Sequence, residues 1–394
     1  MMNLISPFCF SPARSLAVSF ARRASVQAAS ARVWTDLDGR TVEADLVDVK
    51  GDEVRIKRAM DGAVANFPIE RLSEADVAYL KEVSLEREIR DVSWAEETFA
   101  GLDWPRRTRL PDNYDVEVVR EDNQAEVYIY RTPNFEFQSE AKLARKVVRE
   151  FGRIFEGTLS AMQAFPLQWE LVPWNDRYRA RLFRNRAAYL KAGGLPNSGG
   201  VYRWSKREIL VPLSSLGLRK GSTSYTFGSS GDRSTLIHEI THQVHHDWLG
   251  RLMPWCVEGL AVYMESIPED DGEFRFDKQD LPSFVRRMNG PGEVLMVDPS
   301  ELIALSHSEW TANFSENPAE LRSYYLSAFL LLHYFLHLDG AGEGQRIWAY
   351  IRAIESGDPE AAARDLLLDG RSPEEFFEVF RRAYKRENIK IASS

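Results

Sequence analysis

The chain has 394 residues, 44% of them apolar, enough to bury a large core and to fill two domains. Lys and Arg number 50 against 59 Asp and Glu, a formal charge of −9, and the basic residues are interspersed with acids, which argues against a nucleic-acid partner. Cys9 and Cys256 are too few for a disulfide framework, and the sequence has no phosphate loop, Rossmann fingerprint or G-x-S-x-G elbow.

Residues 1–31 contain no acid, carry Arg14, Arg22 and Arg23, and end in Ala24-Ser-Val-Gln-Ala-Ala-Ser-Ala31, small residues that suit signal-peptidase cleavage. Arg14 interrupts the apolar run, so three readings stand: an atypical signal, a start codon placed upstream of a true signal, and a disordered N-terminus. The first two imply an extracytoplasmic protein, periplasmic or secreted; the third leaves it in the cytoplasm.

From Arg32 to about Val83 the pattern turns to short alternating strands at Arg32–Thr35, Thr41–Val49, Val54–Ala59 and Val64–Ile69, with turns at Asp38-Gly39, Gly51-Asp52 and Asp61-Gly62. A short helix capped by Ser73 follows. This is the pattern of a small β-barrel. Trp34-Thr-Asp-x-x-Gly39, Val54-x-Ile-Lys57 and Pro68-Ile-x-x-Leu-Ser73 together resemble the SLA-type homology domain, an SH3-like barrel. The resemblance implies either a module that binds a peptide or envelope partner or a passive folding unit.

Residues 84–114 read as a charged helical linker closing with Trp104-Pro105 and Leu110-Pro111. A second domain, 115–394, opens with strands around Asp115–Arg120 and Glu126–Arg131, then a long helix capped by Ser139 and reaching about Ala164. Arg177–Phe183 and Val201–Leu213 supply further strands.

The segment Arg233–Trp248 is predicted to be a helix capped by Asp232, buried through Leu236, Ile237, Ile240 and Val244, and stopped at Gly250. It contains His238-Glu239-Ile-Thr-His242, in which two imidazoles four residues apart share one helix face and can bind one metal. With seven His in the chain, this pattern arises by chance about once in a hundred such sequences. A carboxylate at Glu239 is placed to take a proton from a metal-activated water, while the metal polarises the carbonyl under attack. A zinc site needs a third protein ligand, and Glu258 supplies it: it lies on a second helix entered through Pro254, and fifteen intervening residues let the chain reverse. Gly259 and Ala261 are small enough for the two helices to pack closely. His245 lies one turn beyond the pair and, like His246, is a residue behind the ligands or a solvated one. Glu265 shares the face of Glu258, either bonding a ligand His or standing as an ordinary acid, and Cys256 reads as packing.

The block W-x-x-E-G-L-A-x-Y-x-E after H-E-x-x-H resembles the gluzincin metallopeptidases, and the chain from about Asp115 onward looks like the bacterial peptidase MA-like family of that clan. Its other pieces are Val127–Phe137, Gly199-Gly-Val-Tyr202, and Tyr325 ahead of Ala328 and His333-Tyr334. The resemblance implies Glu258 as the third zinc ligand, one Zn2+ per chain, a peptide or protein substrate, Tyr325 as the oxyanion donor with Tyr324 and His333 as the alternatives on the same helix, and Ile209–Leu213 as the sheet edge beside the cleft. Val262 stands where the thermolysin branch has an acid, and no G-A-M-E-N stretch occurs, so neither branch's substrate class carries over.

Residues 266–318, rich in Asp, Gly, Pro and Ser, are expected to form an insert beside the cleft. Helices near Leu321–Leu338, Gly344–Glu355 and Ser372–Arg386 close the chain, the last opening Ser-Pro-Glu-Glu. The apolar stretch Tyr324–Leu338 is too short to span a membrane and contains Ser327, His333 and His337; no transmembrane span is expected in the mature chain. The fold expected is α+β, a zincin-like domain after a small SH3-like barrel. The function expected is zinc-dependent peptide hydrolysis with Glu239 as general base. The alternatives are a catalytically silent scaffold on the same fold and a zinc hydrolase of a non-peptide amide.

Overall fold

The computed structural model describes residues 32–50, 53–61, 63–80, 99, 101–111, 114–167, 169, 171–173, 176–196, 198–221, 224–227, 233–316, 320–340, 342–357 and 360–393. The leader, most of the linker and the Asp232 cap lie outside them. The described residues form a mixed α and β structure in two compact units, one from residues 32–99 with 355–357, the other from 101–354 and 360–393.

In the smaller unit β1 (Arg32–Thr35), β2 (Thr41–Lys50), β3 (Glu53–Arg58) and β4 (Val64–Pro68) pair antiparallel in chain order, each within one residue of the expected span. Alternation decides their faces: Val54 and Ile56 are buried between exposed Glu53, Arg55 and Lys57. Trp34 is buried and donates its indole N–H to Ala44 O at 3.0 Å. Residues 74–80 form α1, capped where Ser73 Oγ accepts from Asp76 N at 3.2 Å. Trp34, Ala44, Val54, Ile56, Leu72 and Leu80 make the core. Among the described residues no ladder joins β4 back to β1; one bridge, Asp36 to Leu72, spans the gap. The described residues thus form a four-stranded meander, and their pairings do not show the closed barrel of the sequence reading.

The larger unit is built on β5 (Glu117–Asp122), β6 (Val127–Arg131), β7 (Phe135–Ser139), β8 (Tyr178–Phe183), β9 (Val201–Arg203) and β10 (Glu208–Pro212), in the spatial order β5-β6-β7-β8-β10-β9. β7, β8 and β10 run parallel; the others pair antiparallel. Two sequence expectations change here. Ser139 does not cap a helix: it ends β7, where its hydroxyl closes a local turn with Ala141, and α2 (Arg145–Gln163) starts at Ala144 without a side-chain cap. The Ile209–Leu213 strand is the sheet edge only in part, because three-residue β9 pairs along Glu208–Leu210 and β10 extends past it to Pro212. α2 makes the crossover between β7 and β8 and packs Phe151 and Phe155 edge-on against Phe137, with centroids 5.1 and 5.0 Å apart.

After α3 (Arg186–Lys191) and the hairpin β11 (Leu218–Lys220) to β12 (Tyr225–Phe227) come α4 (Arg233–Val244), α5 (His246–Leu249) and α6 (Pro254–Ser266). The expected helix to Trp248 is broken at His245, at φ −95° and ψ 17°, and Gly250 ends α5. The insert folds as β13 (Glu269–Asp270), β14 (Glu273–Phe274), α7 (Leu281–Asn289), β15 (Val294–Met296), α8 (Pro299–Ala304) and α9 (His307–Glu316). α10 (Leu321–His337), α11 (Gln345–Ser356), α12 (Glu360–Leu368) and α13 (Pro373–Arg386) follow, one helix more than expected, and β16 (Ile391–Ser393) returns to pair with β15. Ser372 and Glu375 complete the capping box of α13. Gly259 does permit close helix packing, but against α10: a Cβ there would meet Ala328 O at 2.5 Å. No helix among the described residues is long and apolar enough to cross a membrane.

Candidate metal centre

α4 is buried along its length from Thr235, so its polar residues sit inside the core of the larger unit rather than on an amphipathic surface. His238 and His242 are 2% and 1% exposed, and Glu258 on α6 is 1% exposed. Pro254 at the first turn of α6 starts that helix without an N–H to satisfy, and Glu258 falls one turn later, facing α4. The Nε2 atoms of His238 and His242 are 3.0 Å apart, and Glu258 Oε2 lies 3.2 Å from the first and 3.4 Å from the second. The three atoms form a small triangle of donors drawn from two helices.

Burial opposes charge on every member of this group. It works against ionisation of Glu258, yet His242 and His238 outweigh it and hold that carboxyl down to about 2. It also opposes a proton on His238, yet the carboxylates of Glu258 and Glu265 raise that imidazole well above its ordinary value. Neither oxygen of Glu258 receives a hydrogen bond of proper geometry. A cation between the three atoms would take the place of that imidazole charge, and tetrahedral ligands about 2.0–2.1 Å from zinc stand roughly 3.3 Å from one another. The residues present fit such an ion.

Glu265, two turns beyond Glu258 on α6, bonds His238 Nδ1 at 2.6 Å. Of the two roles open to it in the sequence, this is the one the structure assigns, and it fixes the ring so that Nε2 faces the triangle. Glu239 is 2% exposed; burial raises its carboxyl above the ordinary range, and its Oε2 accepts from Tyr202 N at 2.6 Å. The edge strand β9 therefore presents a backbone N–H directly to Glu239. Gly200 just before it has no room to spare: a Cβ would stand 3.3 Å from Leu210 O and 3.9 Å from Glu239 Cγ.

Of the three candidates on α10, Tyr325 is the one at the centre. Its ring packs edge-on against His238 with centroids 5.7 Å apart, and burial together with Glu258, Glu239 and Glu265 raises its phenol well above the ordinary value. Tyr324 instead accepts from Asn313 Nδ2 at 3.2 Å, and His333 lies among Tyr263, Phe329 and Tyr384. His245 is neither ligand nor solvated: it is buried between Trp169 and Trp248, and burial lowers its imidazole to about 3. His246 bonds the Tyr202 hydroxyl through Nδ1 at 2.5 Å. Cys256 is a buried free thiol outside the donor group.

A family model for the SLA1 homology domain 1 (SHD1) matches residues 22–88. The match takes in the whole four-stranded meander and α1, starting ten residues before the expected boundary at 32 and ending five after that at 83. No curated protein matches the chain. The candidate metal centre therefore rests on its own geometry.

Two contributors were not foreseen in the sequence. The Tyr202 amide acts through the backbone, which no side-chain pattern announces; the paired glycines before it are the available signal. Trp310 on α9 packs edge-on against Tyr325 with centroids 6.4 Å apart and, with His307 and Thr311, lines an apolar pocket that ends on Glu258. The insert does lie beside the site, and it is helical there.

Proposed function

We propose that the protein is a zinc-dependent peptidase of zincin-like fold and gluzincin-type ligand set, carrying an N-terminal SH3-like module. One observation carries the reading: two imidazole nitrogens and one carboxylate oxygen, all buried, stand 3.0–3.4 Å from one another with a glutamate of the same helix beside them. His238, His242 and Glu258 would hold zinc, which when bound lowers the pKa of a water and polarises the carbonyl under attack. Glu239 takes the water's proton and passes it to the leaving amine, and burial, by raising its carboxyl, suits it to both halves of that transfer. Glu265 holds His238 in one tautomer, and Tyr325 donates to the charge that develops on the carbonyl oxygen. The centre is sealed, so a peptide entering along β9 requires an opening beside it. The SHD1-type unit binds a peptide or envelope partner, in keeping with an exported protein.

The test is metal analysis of purified protein with digestion of a mixed peptide library, wild type beside Glu239→Gln and His238→Ala/His242→Ala. About one zinc per chain is expected in wild type and Glu239→Gln and none in the double variant, with cleavage in wild type alone. Equal zinc in all three chains removes the site. Full zinc without cleavage of any peptide turns the reading to a non-peptide amide or to a silent scaffold, the rival that the sealing of the centre favours and the intact Glu239 opposes.

A further inference from the structure

A second polar site lies on the side of α4 that faces the sheet. Gln243 follows His242 and is 2% exposed; its Nε2 donates to Arg179 O at 2.7 Å and Arg207 O at 3.3 Å, clamping the helix to the starts of β8 and β10. Beside it a pocket opens, lined by Gln243, His246 and Tyr178 together with four cationic residues, Arg177, Arg179, Lys206 and Arg207. Arg207 is paired to Asp247 at 3.1 Å, and Arg177 donates to Thr132 O. Among the described residues no carboxylate pairs with Arg177, Arg179 or Lys206. Like charges gathered at one concavity repel, so the grouping costs stability unless something negative occupies it.

The second observation is independent of the charges. Tyr178, one of the residues lining the pocket, is 5% exposed, and its hydroxyl is buried without a hydrogen-bond partner; Gln243 Oε1 is in the same state. A buried hydroxyl left unpaired costs about 1–3 kcal/mol, and such groups are rare unless a ligand completes them. Burial keeps the Tyr178 phenol protonated, hence a donor. The Gln243 oxygen adds an acceptor for a protonated ligand oxygen.

We infer that this pocket binds a multiply charged oxyanion, a phosphate group or a dicarboxylate, on the Tyr178 hydroxyl and the surrounding guanidinium and ammonium groups. The site shares no ligand with the proposed metal centre and does not depend on it. It adjoins that centre through one residue: Tyr202 gives its N–H to Glu239 and shares a hydrogen bond between its hydroxyl and His246 Nδ1, of the pocket lining.

The test is calorimetric titration of the full chain with inorganic phosphate and, separately, with succinate, each against chloride at matched ionic strength. One bound ion per chain is expected, weakening as salt rises. Arg179 and Lys206 are exposed, so Arg179→Ala/Lys206→Ala leaves the fold intact and should weaken binding by roughly tenfold or more; Tyr178→Phe should weaken it without lowering the unfolding temperature. Lys191→Ala, in a different groove, should leave it unchanged. Binding of phosphate alone identifies a phosphate-bearing ligand, and binding of succinate alone a carboxylate. No heat beyond the chloride control, or full affinity in the Arg179→Ala/Lys206→Ala chain, overturns the site.

Discussion

Asp76 in the small sheet and Glu258 in the helical core of the larger unit are both buried carboxylates, and they are satisfied in opposite ways. Asp76, 2% exposed, accepts from Arg32 Nη2 at 2.6 Å, Thr35 N at 2.8 Å and Ser73 Oγ at 2.8 Å. Glu156 in the larger unit is held in the same style, by the Thr132 hydroxyl and by the backbone and side chain of Asn134. Glu258 has no such completed bonds: two imidazole nitrogens stand 3.2 and 3.4 Å from its Oε2, and the Tyr325 phenol is close enough to feel its charge. Burying a carboxylate costs several kcal/mol, and the chain offsets that cost fully for the first two. For Glu258 the offset comes from His242 and His238, and a cation in the triangle would take over that role. A structural acid shows completed hydrogen bonds, and an acid kept for a ligand shows their absence.

The largest expected effect sharpens this contrast. Asp76→Ala strips three donors of their acceptor and should destabilise the smaller unit by about 3 kcal/mol, at the low end for a buried pair because Arg32 is 28% exposed. Glu258→Gln in metal-free protein removes the charge that His238 and His242 stabilise but no hydrogen bond of good geometry, and should cost less than Asp76→Ala. Urea unfolding followed by tryptophan fluorescence measures both. If the two variants lose equal stability, Glu258 is a structural acid like Asp76 and the comparison collapses.

The two units were also unequally legible in the sequence. In the smaller one, every strand is one face of a sheet, so the alternation of Val54 and Ile56 with charged neighbours placed all four strands. Closure was not legible, because it depends on long-range pairing between β4 and β1 that no local pattern encodes. In the larger unit, H-E-x-x-H was readable because spacing along a helix converts directly into a shared face, and Glu258 because a chain reversal was long enough. What failed was decided by tertiary contacts. Ser139 looked like a cap but closes a turn after β7; β9 has only three residues, too few to show a period; α4 breaks where His245 is captured between Trp169 and Trp248. Glu265 was on the correct face in the sequence, but only packing of α6 on α4 could choose His238 as its partner.

Tyr325→Phe comes next in size. The phenol is among three carboxylates and against His238, so its loss should lower kcat about a hundredfold while zinc content and unfolding temperature hold and KM changes little. The same substitution at Tyr324, whose hydroxyl is engaged by Asn313, should leave kcat within about twofold. Equal loss from both variants would place the oxyanion donor elsewhere and reduce Tyr325 to packing.

The smallest effect separates the acid that would bind metal from the acid that positions a ligand. Glu265 reaches His238 Nδ1 at 2.6 Å and contributes no atom to the donor triangle, so Glu265→Gln keeps the hydrogen bond but loses the charge that strengthens the imidazole as a ligand. Zinc affinity should fall by about ten- to a hundredfold, as outer carboxylate partners of ligating histidines typically show, and the protein should regain full occupancy when zinc is raised accordingly. Glu258→Gln, which removes a ligand atom itself, should stay depleted at the same zinc concentration. Competition against a chromophoric chelator gives both affinities. The ordering matters more than either value: a Glu265 variant that binds zinc worse than the Glu258 variant would mean that the third ligand is Glu265, and that Glu258 is the buried acid the chain leaves unsatisfied for some other reason.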